Sequence, residues 1–149
     1  MDVFPRTAPL EPYGVPMGME LSLANNDVFP DAGESDVRRA FDDSTDFGPY
    51  AILSPSDEEF LQVAEAQWAT RETDDVGAWC QDYEAKTAHL PRNARKPAWY
   101  VLEYRDPDQD AVFIATCVLS RSEVCETVLD YIQGGTKWRR GRSWEHLAD

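Results

Sequence analysis

Ala98 to Arg105 constrains this chain more than any other segment, because it is apolar on both sides of a strand's alternation. Trp99 and Val101 stand opposite Tyr100, Leu102 and Tyr104. Such a strand needs packing on both faces, which predicts a central place in a sheet. Asp106-Pro107-Asp108-Gln109-Asp110 reads as a turn, and Ala111 to Leu119 as the antiparallel partner. Ser120 and Glu123 form a capping box for a helix from Arg121 to Gln133, with Val124, Val128, Tyr131 and Ile132 as its buried stripe and Gly134-Gly135 as its stop.

Weaker signals fill the remainder. Met1 to Pro30 holds five of the ten prolines, a density that predicts an extended arm, with Met19 to Leu23 able to form one short strand. Asp36 to Phe41 predicts a short helical turn capped by Ser35. Tyr50 to Leu53 predicts a strand ending in the turn at Ser54–Asp57. Phe60 to Trp68 fits both periods: a helix with Ser56 and Glu59 as its capping box, or the second strand of a hairpin across Ser54–Glu59. The strand is preferred and the helix stays open. Thr73 to Thr87 predicts a helix with Thr73 as cap, Asp74 and Asp75 at its positive end, and Val76, Trp79, Cys80 and Tyr83 at helical spacing. The sum is an α+β chain: an arm over residues 1–30, then one domain over 31–149 whose antiparallel sheet carries helices on one face.

Charge narrows the function classes. The 149 residues hold 28 acids against 14 Lys and Arg, a formal charge of −14. The balance is −12 between Asp27 and Lys86 and zero between Thr87 and Asp149. A chain that grips phosphate needs a basic surface, so direct nucleic-acid binding is not expected and a basic protein partner is. The basic residues of the tail (Lys137, Arg139, Arg140, Arg142) are expected to be solvated or to pair with the acidic stretch, and Trp138 and Trp144 to cap the core. With no run of about 18 apolar residues and no basic-then-apolar leader, no membrane span or secretion signal is expected. Cys80, Cys117 and Cys125 make no Cys-x-x-Cys pair, which suits reduced thiols in the cytoplasm.

Motifs for chemistry are sparse. His89 and His146 have no second ligand at metal spacing, and no phosphate loop or nucleophile elbow occurs, so no metal, cofactor or catalytic residue is expected. Asp82-Tyr83-Glu84-Ala85-Lys86 looks like the acid-x-Lys core of nucleases, but that core belongs on a strand and this segment reads as helix. A Cys117 nucleophile would need a histidine folded beside it.

Tyr100 to Tyr104, Ser120, Glu123, Tyr131, Gly134 and Trp144-Glu145-His146-Leu147 together resemble small immunity proteins of bacterial toxin systems, particularly the group associated with deaminase-type toxins. The resemblance covers Ala98 to Leu147, about a third of the chain. The acidic N-terminal region, the segment Ala69–Pro97 and the basic link before Trp144 depart from it. It implies a non-enzymatic α+β protein that occludes a nuclease or deaminase toxin domain. Its partner-binding residues are expected among Asp42, Asp43, Asp46, Asp57, Glu58, Glu59, Asp74 and Asp75, with Phe41, Phe47 or Trp68 as apolar anchor. The alternative is a nucleic-acid mimic that inhibits a defence nuclease, of the anti-CRISPR or anti-restriction kind. A homodimer is also open, because the apolar residues between Val3 and Leu23 could cover a second copy.

Overall fold

In chain order the elements are β1 (Met19–Leu23), β2 (Val28–Ala32), α1 (Glu34–Ala40), β3 (Tyr50–Ser56), β4 (Glu59–Glu65), α2 (Ala66–Glu72), α3 (Ala78–Thr87), β5 (Tyr100–Asp106), β6 (Ala111–Ala115), α4 (Arg121–Ile132), α5 (Lys137–Arg140) and β7 (Trp144–His146). The computed structural model describes residues 19–42, 47–56, 58–72, 77–91, 93 and 98–147. The strands form one antiparallel sheet in the order β2-β1-β3-β4-β5-β6-β7, so the chain is α+β with β5 flanked on both edges.

β5 sorts the core into two. Tyr100, Leu102 and Tyr104 join Leu21, Leu53, Leu61 and Val63 on one face, where Val37 and Ala40 of α1 and Val124 and Val128 of α4 close over them. To this expected helix-covered face the structure adds a smaller core on the reverse. There Val101 and Ile114 meet Ala66 and Ala69 of α2 and Trp79 of α3. One strand feeds both cores because its side chains alternate with period two.

Local chemistry explains most boundaries. Ser120 Oγ accepts from the Glu123 N–H (3.3 Å), while the Glu123 carboxylate accepts from the Ser120 N–H (2.8 Å), and Gly134 ends the segment at φ +78°. At Phe60–Trp68 both expected periods occur in succession. The strand lasts to Glu65, opposite Tyr100 at the start of β5, where the ladder ends. Ala66 N–H then donates to the Trp99 carbonyl (2.8 Å) and the chain turns helical.

Other boundaries differ from expectation. Met19–Leu23 and Val28–Ala32 pair as a hairpin within the sheet, so the described end of the expected arm, residues 19–30, is mostly sheet; residues 1–18 lie outside the described ones. α1 starts two residues earlier than expected, with Gly33 as its cap, whose N–H donates to Asp36 Oδ2 (3.0 Å), and Ser35 is not the cap. The described part of α3 begins after Gly77, and the carboxylate at its first turn comes from β7: Glu145 Oε1 accepts from the Ala78 N–H (2.9 Å). The expected cap Thr73 and the acids Asp74 and Asp75 lie outside the described residues. β6 stops at Ala115 rather than Leu119. Beyond it the Val118 N–H donates to Asp82 (2.8 Å), and Leu119 returns to exchange two hydrogen bonds with Tyr100, each 2.8 Å.

Candidate partner-binding surface

The basic residues are engaged mainly within the C-terminal half. Arg139 reaches Asp106 at 3.3 Å and lies 5.2 Å over the Tyr104 ring. Arg105 donates to Asp110 and to the Glu58 carbonyl. Arg142 donates to the Trp138 carbonyl (2.8 Å), and burial pushes its guanidinium below its ordinary value. Asp106 is held below the usual carboxylate range: its burial opposes this, but hydrogen bonds from Gln109 and the Asp108 N–H, with Arg139 alongside, outweigh it. The tail also packs as expected: Trp144 and Trp138 meet Tyr104 edge-on at 4.7 and 5.0 Å.

The acidic stretch is different. Asp27, Asp31, Glu58, Glu72 and Glu84 are exposed and have no ion pair among the described residues. Glu34 pairs with Arg38 at 2.9 Å, but both side chains are more than half exposed, so the pair contributes little. Among the described residues no cation of the tail pairs with this stretch; Arg139 finds Asp106 instead.

Two expected anchors are corrected. Phe41 is 3% and Phe47 1% exposed, so neither can insert into a partner without opening the core. They meet edge-to-face at 5.1 Å, and Arg121 lies 4.7 Å over the Phe47 ring. Arg121 also donates to the carbonyls of Phe41 (3.1 Å) and Asp42 (2.8 Å) and to Tyr100 Oη (2.9 Å). This strap seals both aromatic rings inside while leaving the Asp42 side chain exposed. Trp68, the third expected anchor, is half-buried on α2, with its ring 5.6 Å from that of Tyr50.

Among the described residues, the remaining expected ones do not form one site. Trp68 sits beside Tyr50 at one end of the β3–β4 hairpin, and Asp42 is tied through Arg121 to Tyr100, opposite Glu65 at that same end. Glu58 and Glu59 occupy the opposite end, next to Ser56. β3 spans 7 residues, which separates the two groups by about 20 Å at ~3.3 Å per residue. Glu59 is half-buried and adds to the burial that raises the Tyr131 phenol well above its ordinary value. Asp43, Asp46, Asp57, Asp74 and Asp75 lie outside the described residues.

The acid-x-Lys segment makes a clasp. Asp82 Oδ2 accepts from Lys86 Nζ and from the Val118 N–H, both at 2.8 Å, while Lys86 also donates to the Val118 carbonyl (2.9 Å) and covers the Trp99 ring. These bonds dock α3 on the segment after β6. Among the described residues no three His, Cys, Asp or Glu side chains are grouped to hold a metal, and no helix is long and apolar enough to cross a membrane.

Strand register assembles a surface that sequence reading missed. Val28 pairs with Ser22, Ser22 with Ile52, Ile52 with Gln62, Gln62 with Glu103, Glu103 with Ile114 and Ile114 with Glu145. This row crosses all seven strands on the reverse face. Its Ile114 end is covered by Trp79 of α3, whereas Val28 at the other end is 54% exposed. The available signal was Ile52, an apolar residue between the buried Ala51 and Leu53, but its neighbours across the sheet are not encoded locally. No family model, curated protein or solved structure matches the chain.

Proposed function

We propose that the chain is a cytoplasmic immunity protein that binds and occludes a basic toxin domain acting on nucleic acid. The observation that supports this most is where the charges go among the described residues: Arg105, Arg139 and Arg142 are engaged by Asp110, Asp106 and the Trp138 carbonyl, while the carboxylates of Asp27, Asp31, Glu58, Glu72 and Glu84 stay on the surface without an ion pair. A surface potential of one sign steers an oppositely charged protein and rejects partners of like charge. The chain then works by occupancy, and its carboxylates stand where substrate phosphates would sit on the toxin.

The test is affinity capture of the tagged chain from its host, followed by co-expression with the basic toxin domain recovered and binding kinetics at several salt concentrations. Protection of the host and a stoichiometric complex are expected, with an association rate that falls about tenfold or more between low and physiological salt. A toxin that stays active beside the folded protein, with no complex at any salt, removes the proposal. Recovery of a restriction or CRISPR nuclease in place of a toxin replaces it with nucleic-acid mimicry.

A further inference from the structure

Resting on the immunity reading, we propose that the toxin domain docks on the reverse face of the sheet over β2, β1, β3 and β4, along the row Val28–Ser22–Ile52–Gln62. Among the described residues α2 and α3 shield this face mainly towards β5 and β6, where Ala66, Ala69 and Trp79 pack on Val101 and Ile114, and Trp68 of α2 extends the cover as far as Tyr50 of β3. Ser22, Ile52 and Gln62 are half-buried, and Val28 is the large apolar residue left most open among those described. Trp68 borders the row where Gln62 and Glu103 line the notch beneath α2. Apolar and polar side chains therefore alternate across a sheet surface, with an aromatic residue at its margin, as in the core and rim of a protein interface.

Charge selects the occupant. Glu20 shares this face, beside Ser54 and hydrogen-bonded by the Ser22 hydroxyl (3.1 Å), and the exposed Asp31 follows Pro30 where the β1–β2 register shifts opposite Glu20. Arg105, the cation that the described strands place on this face, is already engaged by Asp110 and the Glu58 carbonyl. A segment with an apolar side chain flanked by Lys or Arg matches this pattern, with the apolar group over Ile52 and the cations towards Glu20 and Asp31. The edge itself is guarded against strand addition, because Pro30 offers no N–H, so side-chain docking on the face is the mode that fits.

The experiment uses the full chain with p-benzoylphenylalanine at position 62 and, as probe, a catalytically inactivated form of the basic toxin domain recovered by affinity capture with the tagged chain. Photocrosslinking to that domain is expected, and Ser22→Arg and Ile52→Arg should each weaken its binding about a hundredfold, while Glu126→Lys on α4 stays within about threefold of wild type. Ser22→Arg alters a half-buried polar site and keeps the test valid if Ile52→Arg fails to fold. Failure of the wild type to bind the probe refutes the immunity reading itself. Tight wild-type binding that Ser22→Arg leaves unchanged refutes only the face. Crosslinks confined to a second copy, or to the chain's own residues, overturn the proposal by assigning the face to those occupants.

Discussion

From β5 onward several ionisable side chains are woven into the packing: Arg139 is shared between Asp106 and the Tyr104 ring, Arg142 caps the Trp138 carbonyl, and Glu145 caps α3. On the β1–β4 side the exposed acids Asp27, Asp31, Glu58 and Glu72 have no cation among the described residues. The two regions carry charged residues at similar density, yet one uses them as structure and the other leaves them facing outward. Surplus like charge does not help a domain fold, since self-repulsion opposes compaction. Its retention on one side of a protein whose other side is closely paired is what points outward, to a partner.

Arg121 joins the two regions, and variants around it test the comparison most severely. Phe47→Ala should lower stability in urea unfolding by about 3–5 kcal/mol, as expected for a ring lost from a core; a loss under about 1 kcal/mol would return Phe47 to the surface and revive it as an anchor. Next comes the strap. Arg121→Ala should cost about 2–4 kcal/mol, and Arg121→Lys should recover less than half of that, because an ammonium cannot span two carbonyls and a phenol in one plane. Equal stability of the two variants would reduce the strap to a simple charge.

The smallest effects contrast the regions directly. Asp106→Asn should destabilise the protein at neutral pH by about 1–2 kcal/mol, whereas Asp31→Lys and Glu58→Lys should each stay within about 0.5 kcal/mol. The pH dependence has a definite sign. The folded-state pKa of Asp106 lies below its unfolded value, so its contribution is present above about pH 4 and is lost as pH falls through the folded value. Wild type should therefore lose more stability than Asp106→Asn on acidification. Parallel curves would show that the Asp106 carboxylate gains nothing from its hydrogen bonds or from Arg139.

Features bounded by short-range signals were legible: the hairpin around Asp106–Asp110, the Ser120–Glu123 cap and the stop at Gly134 each depend on residues within a few positions of one another. Phe60–Trp68 was ambiguous because its switch from strand to helix is set by where β5 begins on the neighbouring strand. Phe41 and Phe47 read as anchors because they adjoin acids. Their burial depends on Arg121, whose bond to the Phe41 carbonyl spans 80 residues.

Sequence by itself determined the α+β class, the two-faced central strand and the separation of acidic from neutral regions, since alternation and charge are properties of the chain before it folds. Tertiary structure alone decided which rings are sealed and which side chains share the Val28–Ser22–Ile52–Gln62 row. The reason is register: side chains alternate with period two, so a one-residue slip between any two strands would turn that row to the opposite face, and register depends on the pairing of segments distant in sequence.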